Sequence, residues 1–263
     1  MRFPTHSRIV SALGSISLAG ITVIVCSSAL FGVNKRSSKI ICREDLSVAR
    51  RQELASKLRL ITGWTEIDFD RDGALQLTEE TTTQGSPTAR ELIGKAMTGN
   101  NVVVLEDASN RQDVVFSRVV PGKWTNTSRE NPPAYVILID FADFEHLIGD
   151  KTALKAFDVG WAFLHELDHV MNDSPDSATL HDPGECEAHI NQMRRECDLP
   201  LRTEYFFTYF PHAEETEFKT CFVRLAFDHE DANTAKHRRY WVMWDATVVG
   251  GLTSSNLIAA LRD

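Results

Sequence analysis

Two histidines four residues apart with a glutamate between them, in His165-Glu166-Leu167-Asp168-His169, constrain this chain more than any other stretch. On an α-helix, positions i and i+4 stack on one face, so both imidazoles can reach one point while Glu166 projects to the side. The surrounding residues fit that geometry. From Asp150 to Asn172 the chain reads as one helix, with Leu154, Phe157, Trp161 and Leu164 recurring at three and four residues as an apolar stripe. A polar group left unpaired beside such a stripe costs on the order of 1–3 kcal/mol, and a shared metal ion would satisfy both rings at once. The competing reading is a surface turn carrying two solvated histidines.

Under the metal reading, His165 and His169 are ligands of Zn2+ and Glu166 is the general base. Zinc with three protein ligands keeps a fourth position for water and lowers its pKa to roughly 7, within reach of a neighbouring carboxylate. Asp168, a charge between the base and the second histidine, is expected as a partner behind the ligands. The third ligand is expected on a second helix, His181 to Arg194, after a linker rich in Asp, Ser and Pro. Asp182, Pro183 and Glu185 form a capping box there, which gives Glu185 a structural duty and leaves Glu187 as the first candidate. Glu187, Ile190, Asn191 and Arg194 share one face, so Asn191 stands where it could hydrogen-bond a ligand histidine. Glu185, His189 and an acid elsewhere stay open as third ligand.

From Glu187-Ala188 through Asn191-Gln192-Met193-Arg194-Arg195-Glu196, and on to Leu199-Pro200-Leu201-Arg202-Thr203-Glu204-Tyr205, a second pattern follows the first. It resembles the bacterial effector and polymorphic-toxin zinc metallopeptidases of the NleD-related kind. In those, a His-Glu-x-x-His helix precedes an Asn-x-x-Arg step and a Leu-Pro-x-Arg-x-x-Tyr segment. Ile61-Thr62-Gly63-Trp64 and Asp72-Gly73 are similar to the hairpin that precedes the catalytic helix in that group, so the likeness runs from Leu60 to Tyr205. The resemblance implies an α+β, zincin-like fold, with a mixed sheet and two active-site helices, and endopeptidase activity on a protein or peptide. In zincins the strand before the catalytic helix lies along the cleft, a place that Tyr135 to Phe141 would take. Tyr205 and Arg202 become candidates for meeting the negative charge that develops on the carbonyl oxygen during hydrolysis. Both could instead anchor a loop against the core, and His212 is a rival. The alternative function is a catalytically inactive, metal-stabilised binding domain that has kept the helix pair.

Asp68 to Glu79 matches the calcium-loop pattern D-x-D-x-D-G-x5-E, but an EF-hand needs helices on both sides and these flanks alternate as strands. The preferred reading is a hairpin pairing Phe69 with Leu75 and Ile67 with Leu77, with Gly73 left-handed. Elsewhere the pattern predicts helices over 43–60 and from Ser86-Pro87 to Met97, and strands over 101–106, 113–120 and 134–141. A long hairpin is expected from 218–227 and 240–249, then a short helix over 254–261.

Ile9 to Val33 contains no charged residue, enough for about 37 Å of helix against a hydrocarbon core of about 30 Å. Residues 1–40 therefore read as a transmembrane anchor or signal peptide, with residues 41–263 as an exported or secreted catalytic domain. The first forty residues hold five positive charges and no acids, so the formal −9 of the whole becomes −14 over residues 41–263. Nucleic acid is excluded as a partner on that balance, because phosphate binding draws on clustered Lys and Arg. Cys186 and Cys197 are too far apart along one helix to pair, which leaves a bridge from either to Cys221, or free thiols.

Overall fold

The structure is a computed structural model and describes residues 38–78, 81–123, 131–179, 182–209, 222–231 and 236–250. Its first half is organised by caps that the sequence supplies. After β1 (Ile40–Cys42), Ser47 caps α1 (Val48–Thr62) by accepting the Arg50 amide at 3.2 Å. Gly63 ends the helix at φ +73°, where a Cβ would lie 1.5 Å from the Gln84 carbonyl oxygen, so no other residue fits. β2 (Ile67–Phe69) and β3 (Leu75–Leu77) then pair in the expected register, Ile67 with Leu77 and Phe69 with Leu75. Two of the loop acids have protein partners. Asp70 Oδ1 accepts the amides of Asp72 and Ala74, and Asp68 pairs with Arg59 of α1, so the loop is a hairpin turn flanked by strands and not by the two helices of an EF-hand.

Ser86 caps α2 (Pro87–Thr98), whose first residue is the proline that suits that position. β4 (Val102–Asp107), β5 (Ser117–Pro121) and β6 (Ala134–Ile139) complete a four-stranded mixed sheet in the order β1-β4-β6-β5. β1, β4 and β6 are parallel, and β5 is the antiparallel edge. Tyr135 to Ile139 therefore lies inside the sheet, and the strand at the edge is β5.

The expected helix over 150–172 is interrupted. After α3 (Phe141–Glu145) and β7 (Ile148–Gly149), α4 (Lys151–Ala156) stops, and α5 (Val159–Asn172) starts afresh. The reason is Asp158, whose carboxylate accepts the amides of Gly160 and Trp161 as an N-cap and so favours a new helix start. Gly160 lets α5 press onto α1: a Cβ there would sit 2.7 Å from Lys57 Cβ and 2.9 Å from Ile61 Cδ1. Most of α5 is buried, with Trp161, Phe163, Leu164 and Leu167 in a core shared with α1, α2 and the sheet.

α6 (Gly184–Glu196) packs on α5. The expected capping box is absent, because Gly184 turns the chain at φ +80° and Asp182 accepts the Gly184 amide while Glu185 is exposed. β8 (Leu201–Arg202), β9 (Thr208–Tyr209), β10 (Phe222–Asp231) and β11 (Lys236–Asp245) form a second sheet with β7, in which β10 and β11 are the expected long hairpin. Its inner face (Val223, Leu225, Phe227, Val242 and Trp244) makes a second core with Phe116.

Among the described residues no helix is long and apolar enough to cross a membrane. The longest, α1, has 15 residues, about 22 Å of helix against the roughly 30 Å required. The expectation of a single-pass membrane protein is corrected on that ground for the described residues. The apolar segment that prompted it, residues 9–33, lies outside the described residues, as do the expected helix at 254–261 and His212. Cys42, Cys186 and Cys197 are free thiols, and Cys221, the other half of either expected bridge, lies outside the described residues.

One buried acid governs the entry into β5. Asp143 Oδ2 accepts the Phe116 amide at 2.9 Å and holds Phe116 at φ +64°, a conformation that costs a bulky residue energy. Burial pushes the Asp143 carboxyl up to about 6, opposed by the Phe116 amide and helped by Asp140. An acid whose folded pKa is raised costs stability above that pKa, and the cost disappears as pH falls through it. Asp143→Asn keeps an oxygen for Phe116, and should therefore add about 1–2 kcal/mol of unfolding free energy at pH 7.5 and nothing near pH 4. Urea denaturation at the two pH values decides; an equal gain at both would mean the charge is not responsible.

Candidate metal centre

One turn of α5 carries His165 and His169 with their rings edge to face, centroids 4.8 Å apart. Their Nε2 atoms are 3.2 Å from one another. Asp176 closes the figure, with Oδ1 at 3.2 Å from each Nε2. An ion bound tetrahedrally at about 2.0–2.1 Å spaces its ligands about 3.3–3.4 Å apart, so these three atoms fit a small tetrahedral ion such as zinc. His165, His169, Asp176 and Cys186 together form the group that could hold a metal ion, and among the described residues no other such group occurs.

The far nitrogens show why the near ones converge. Nδ1 of His169 meets the Ser174 carbonyl oxygen at 2.6 Å. A carbonyl only accepts, so the neutral ring carries its proton on Nδ1 and offers its lone pair at Nε2. Nδ1 of His165 faces Glu187 Oε2 at 3.3 Å, the same arrangement with a carboxylate as acceptor. Cys186 Sγ lies 3.4 Å from that nitrogen and donates to the His165 carbonyl.

Glu187, the first candidate for third ligand, thus stands behind His165, and the place beside the two Nε2 atoms belongs to Asp176. The reason is electrostatic. Glu187 is 1% exposed and is held by Arg194, through one oxygen, and by Arg202 at 3.0 Å, through the other. Burial would raise its pKa, but the two guanidiniums and His165 outweigh that and hold it well below the usual carboxylate range. Glu185 is exposed, and His189 faces Asp168 at 3.0 Å.

Asp176 arrives through a reversal of the chain. Asp173 ends α5 in the left-handed conformation at φ +56°, and an isolated bridge pairs Asp176 with Gly184. The surroundings then favour positive charge at the centre. Burial alone would lower the histidine pKa values, yet Asp176, Cys186 and, for His165, Glu187 raise both, His169 to about 10. Burial would raise Asp176, but hydrogen bonds with His165, His169 and Tyr205 hold it far below its ordinary value.

The Leu-Pro-x-Arg-x-x-Tyr segment has a structural explanation. Asn191 donates to the Arg202 carbonyl at 2.7 Å and accepts the Arg202 amide at 2.9 Å, which fixes β8 against α6. Asn191 is therefore bound to backbone and to Arg194, and not to a ligand histidine. Arg202 spends its guanidinium on Glu187, the Glu204 carbonyl and the Tyr205 carbonyl, so it positions neighbours and is not free to meet an oxyanion. Tyr205 hydrogen-bonds Asp176 and stacks on His165 at 6.1 Å. Burial pushes its phenol up, so at neutral pH it is a donor.

Glu166 is 6% exposed and accepts a hydrogen bond from Ser117 Oγ at 2.8 Å, at the start of edge strand β5. A cleft of about 350 Å³ opens there, lined by Trp161, His165, Glu166, Tyr205, Leu225 and Trp244. It follows the seam between the two cores. Sequence reasoning missed Asp176 and Ser117, since the linker after α5 reads only as a loop and nothing local marks which of its acids turns back. No family model, curated protein or solved structure matches this chain.

Replacing Asp176 by Ala removes the exposed carboxylate beside the two Nε2 atoms and should weaken zinc binding on the order of 100-fold or more with the fold intact. Glu187→Gln should leave one ion bound and lower stability by about 3–5 kcal/mol, because it strands the buried Arg194 guanidinium and the half-buried Arg202 beside it. Chelator competition and urea denaturation check both. Loss of zinc from a folded Glu187→Gln protein, with Asp176→Ala unaffected, would return the third-ligand role to Glu187.

Proposed function

We propose that this chain is a zinc-dependent endopeptidase of zincin-like architecture. The observation that carries the reading is the equilateral set of Nε2, Nε2 and Oδ1 atoms, 3.2 Å on each side, on the helix turn that also bears Glu166. Zinc held there would supply a water with its pKa lowered to about 7 and a positive charge for the scissile carbonyl.

The chain's own residues divide the remaining work. Ser117 occupies one oxygen of Glu166 and leaves the other to take the proton and later deliver it to the departing amine. Tyr205, a neutral phenol beside Asp176, is the donor for the developing oxyanion. Arg202 acts through Glu187 and the Tyr205 backbone as a positioning residue. A peptide substrate is supported by β5, the sheet edge that borders the cleft, because an extended backbone can pair with an unpartnered strand edge.

Glu166→Gln should keep one zinc per chain and lower the cleavage rate of an unstructured protein such as casein by about 1,000-fold. Tyr205→Phe should keep the metal and lower kcat more than it raises KM. Wild-type protein that binds zinc tightly and never cleaves would favour the inactive, metal-stabilised domain; wild-type protein that folds without binding zinc would overturn both readings.

A further inference from the structure

A charge at Asp168 is costly where it sits. The residue lies inside α5, next to His169, with none of its surface exposed, and a buried carboxylate is stable only when its oxygens are matched by donors. Both are matched: Asn172 Nδ2 donates to Oδ1 at 2.6 Å, and His189 Nδ1 faces Oδ2 at 3.0 Å. The same His189 nitrogen lies 3.4 Å from Ser174 Oγ. A carboxylate only accepts, so it fixes the His189 proton on Nδ1 and takes that N–H itself, which seats the ring edge beside Ser174 Oγ. Ser174, 2% exposed, is the residue whose carbonyl receives the His169 proton, and Asp176 follows it by two positions.

We propose that Asp168 and His189 are positioning residues that hold the turn through Ser174, and thereby set both the His169 ring and the third ligand, Asp176. The inference rests on the metal-site reading given above. The Asp168 pair crosses from α5 to α6, and Ser174 sits on the reversal between the helices, so the pair fixes the only stretch of the ligand set that has no secondary structure of its own. Without Asp168, His189 keeps no reason to face inward, because its side chain is 43% exposed. Ser174 then loses a partner, and the two donors on its far side lose their register with His165.

The test is zinc chloride titration against a chromophoric chelator, using the full chain, with the melting temperature of the metal-free protein measured in parallel. His189→Ala and Asp168→Asn should each weaken zinc binding about 10- to 100-fold, the scale expected for groups that orient ligands. His189→Asn, whose side-chain nitrogen takes the place of Nδ1, should bind near the wild-type affinity and melt, metal-free, with His189→Ala. Equal affinities for His189→Ala and His189→Asn, or wild-type affinity in both, would overturn the proposal, and this pair decides even if Asp168→Asn fails to fold. Wild-type protein that binds no zinc would defeat the metal reading itself, a result distinct from tight binding by every variant.

Discussion

Glu187 is the residue on which the rest of the centre depends. A carboxylate 1% exposed stays ionised only among cations and donors, and Glu187 collects Arg194, Arg202 and the His165 ring. Each connection holds a different part of the fold. Arg194 caps the end of α4 through the Ala156 carbonyl and lies over the rings of Trp161 and Phe227. Arg202 brings β8 and the Tyr205 backbone to the same point. One buried charge therefore joins the two helices, the second sheet and the orientation of the His165 ring.

The helix pair alone would not make a metal site. Two imidazoles at i and i+4 can converge in many helices, but their rotation is fixed here because each Nδ1 has an acceptor, the Ser174 carbonyl for His169 and Glu187 for His165. The third donor comes from the short reversal after α5, where the left-handed Asp173 turns the chain back. Glu166 belongs to the same turn and is aimed by Ser117, whose own strand is started by the unusual backbone of Phe116 and its bond to Asp143. The two histidine rings, Asp176, Glu166 and the cleft edge are thus set by separate contacts that meet at α5.

Much of this was legible in the sequence wherever the signal was local and periodic. The hairpin of β2 and β3 formed in register because alternation and Gly73 specify it, and Ser47, Ser86 and Pro87 marked their helices through capping chemistry. The apolar run from Asp150 to Asn172 was continuous enough to conceal the break at Asp158, a residue whose side chain competes for backbone amides. Glu187, expected as third ligand, stands behind His165 for a related reason. Periodicity on α6 identified the inward face and so Glu187, but it carried no information about Arg202, which comes 15 residues later and pairs with that carboxylate. Asp176 sits in a loop without period, and only the path of the chain in three dimensions reveals it.

The central claim is the identity of the three donors, and X-ray absorption at the zinc edge of the loaded protein reads it directly. The expected spectrum has a first shell of nitrogen and oxygen alone at about 2.0–2.1 Å, with two imidazoles in the outer-shell scattering. A sulfur shell at about 2.3 Å would contradict it, since Cys186 would then occupy the position that the account leaves open for water.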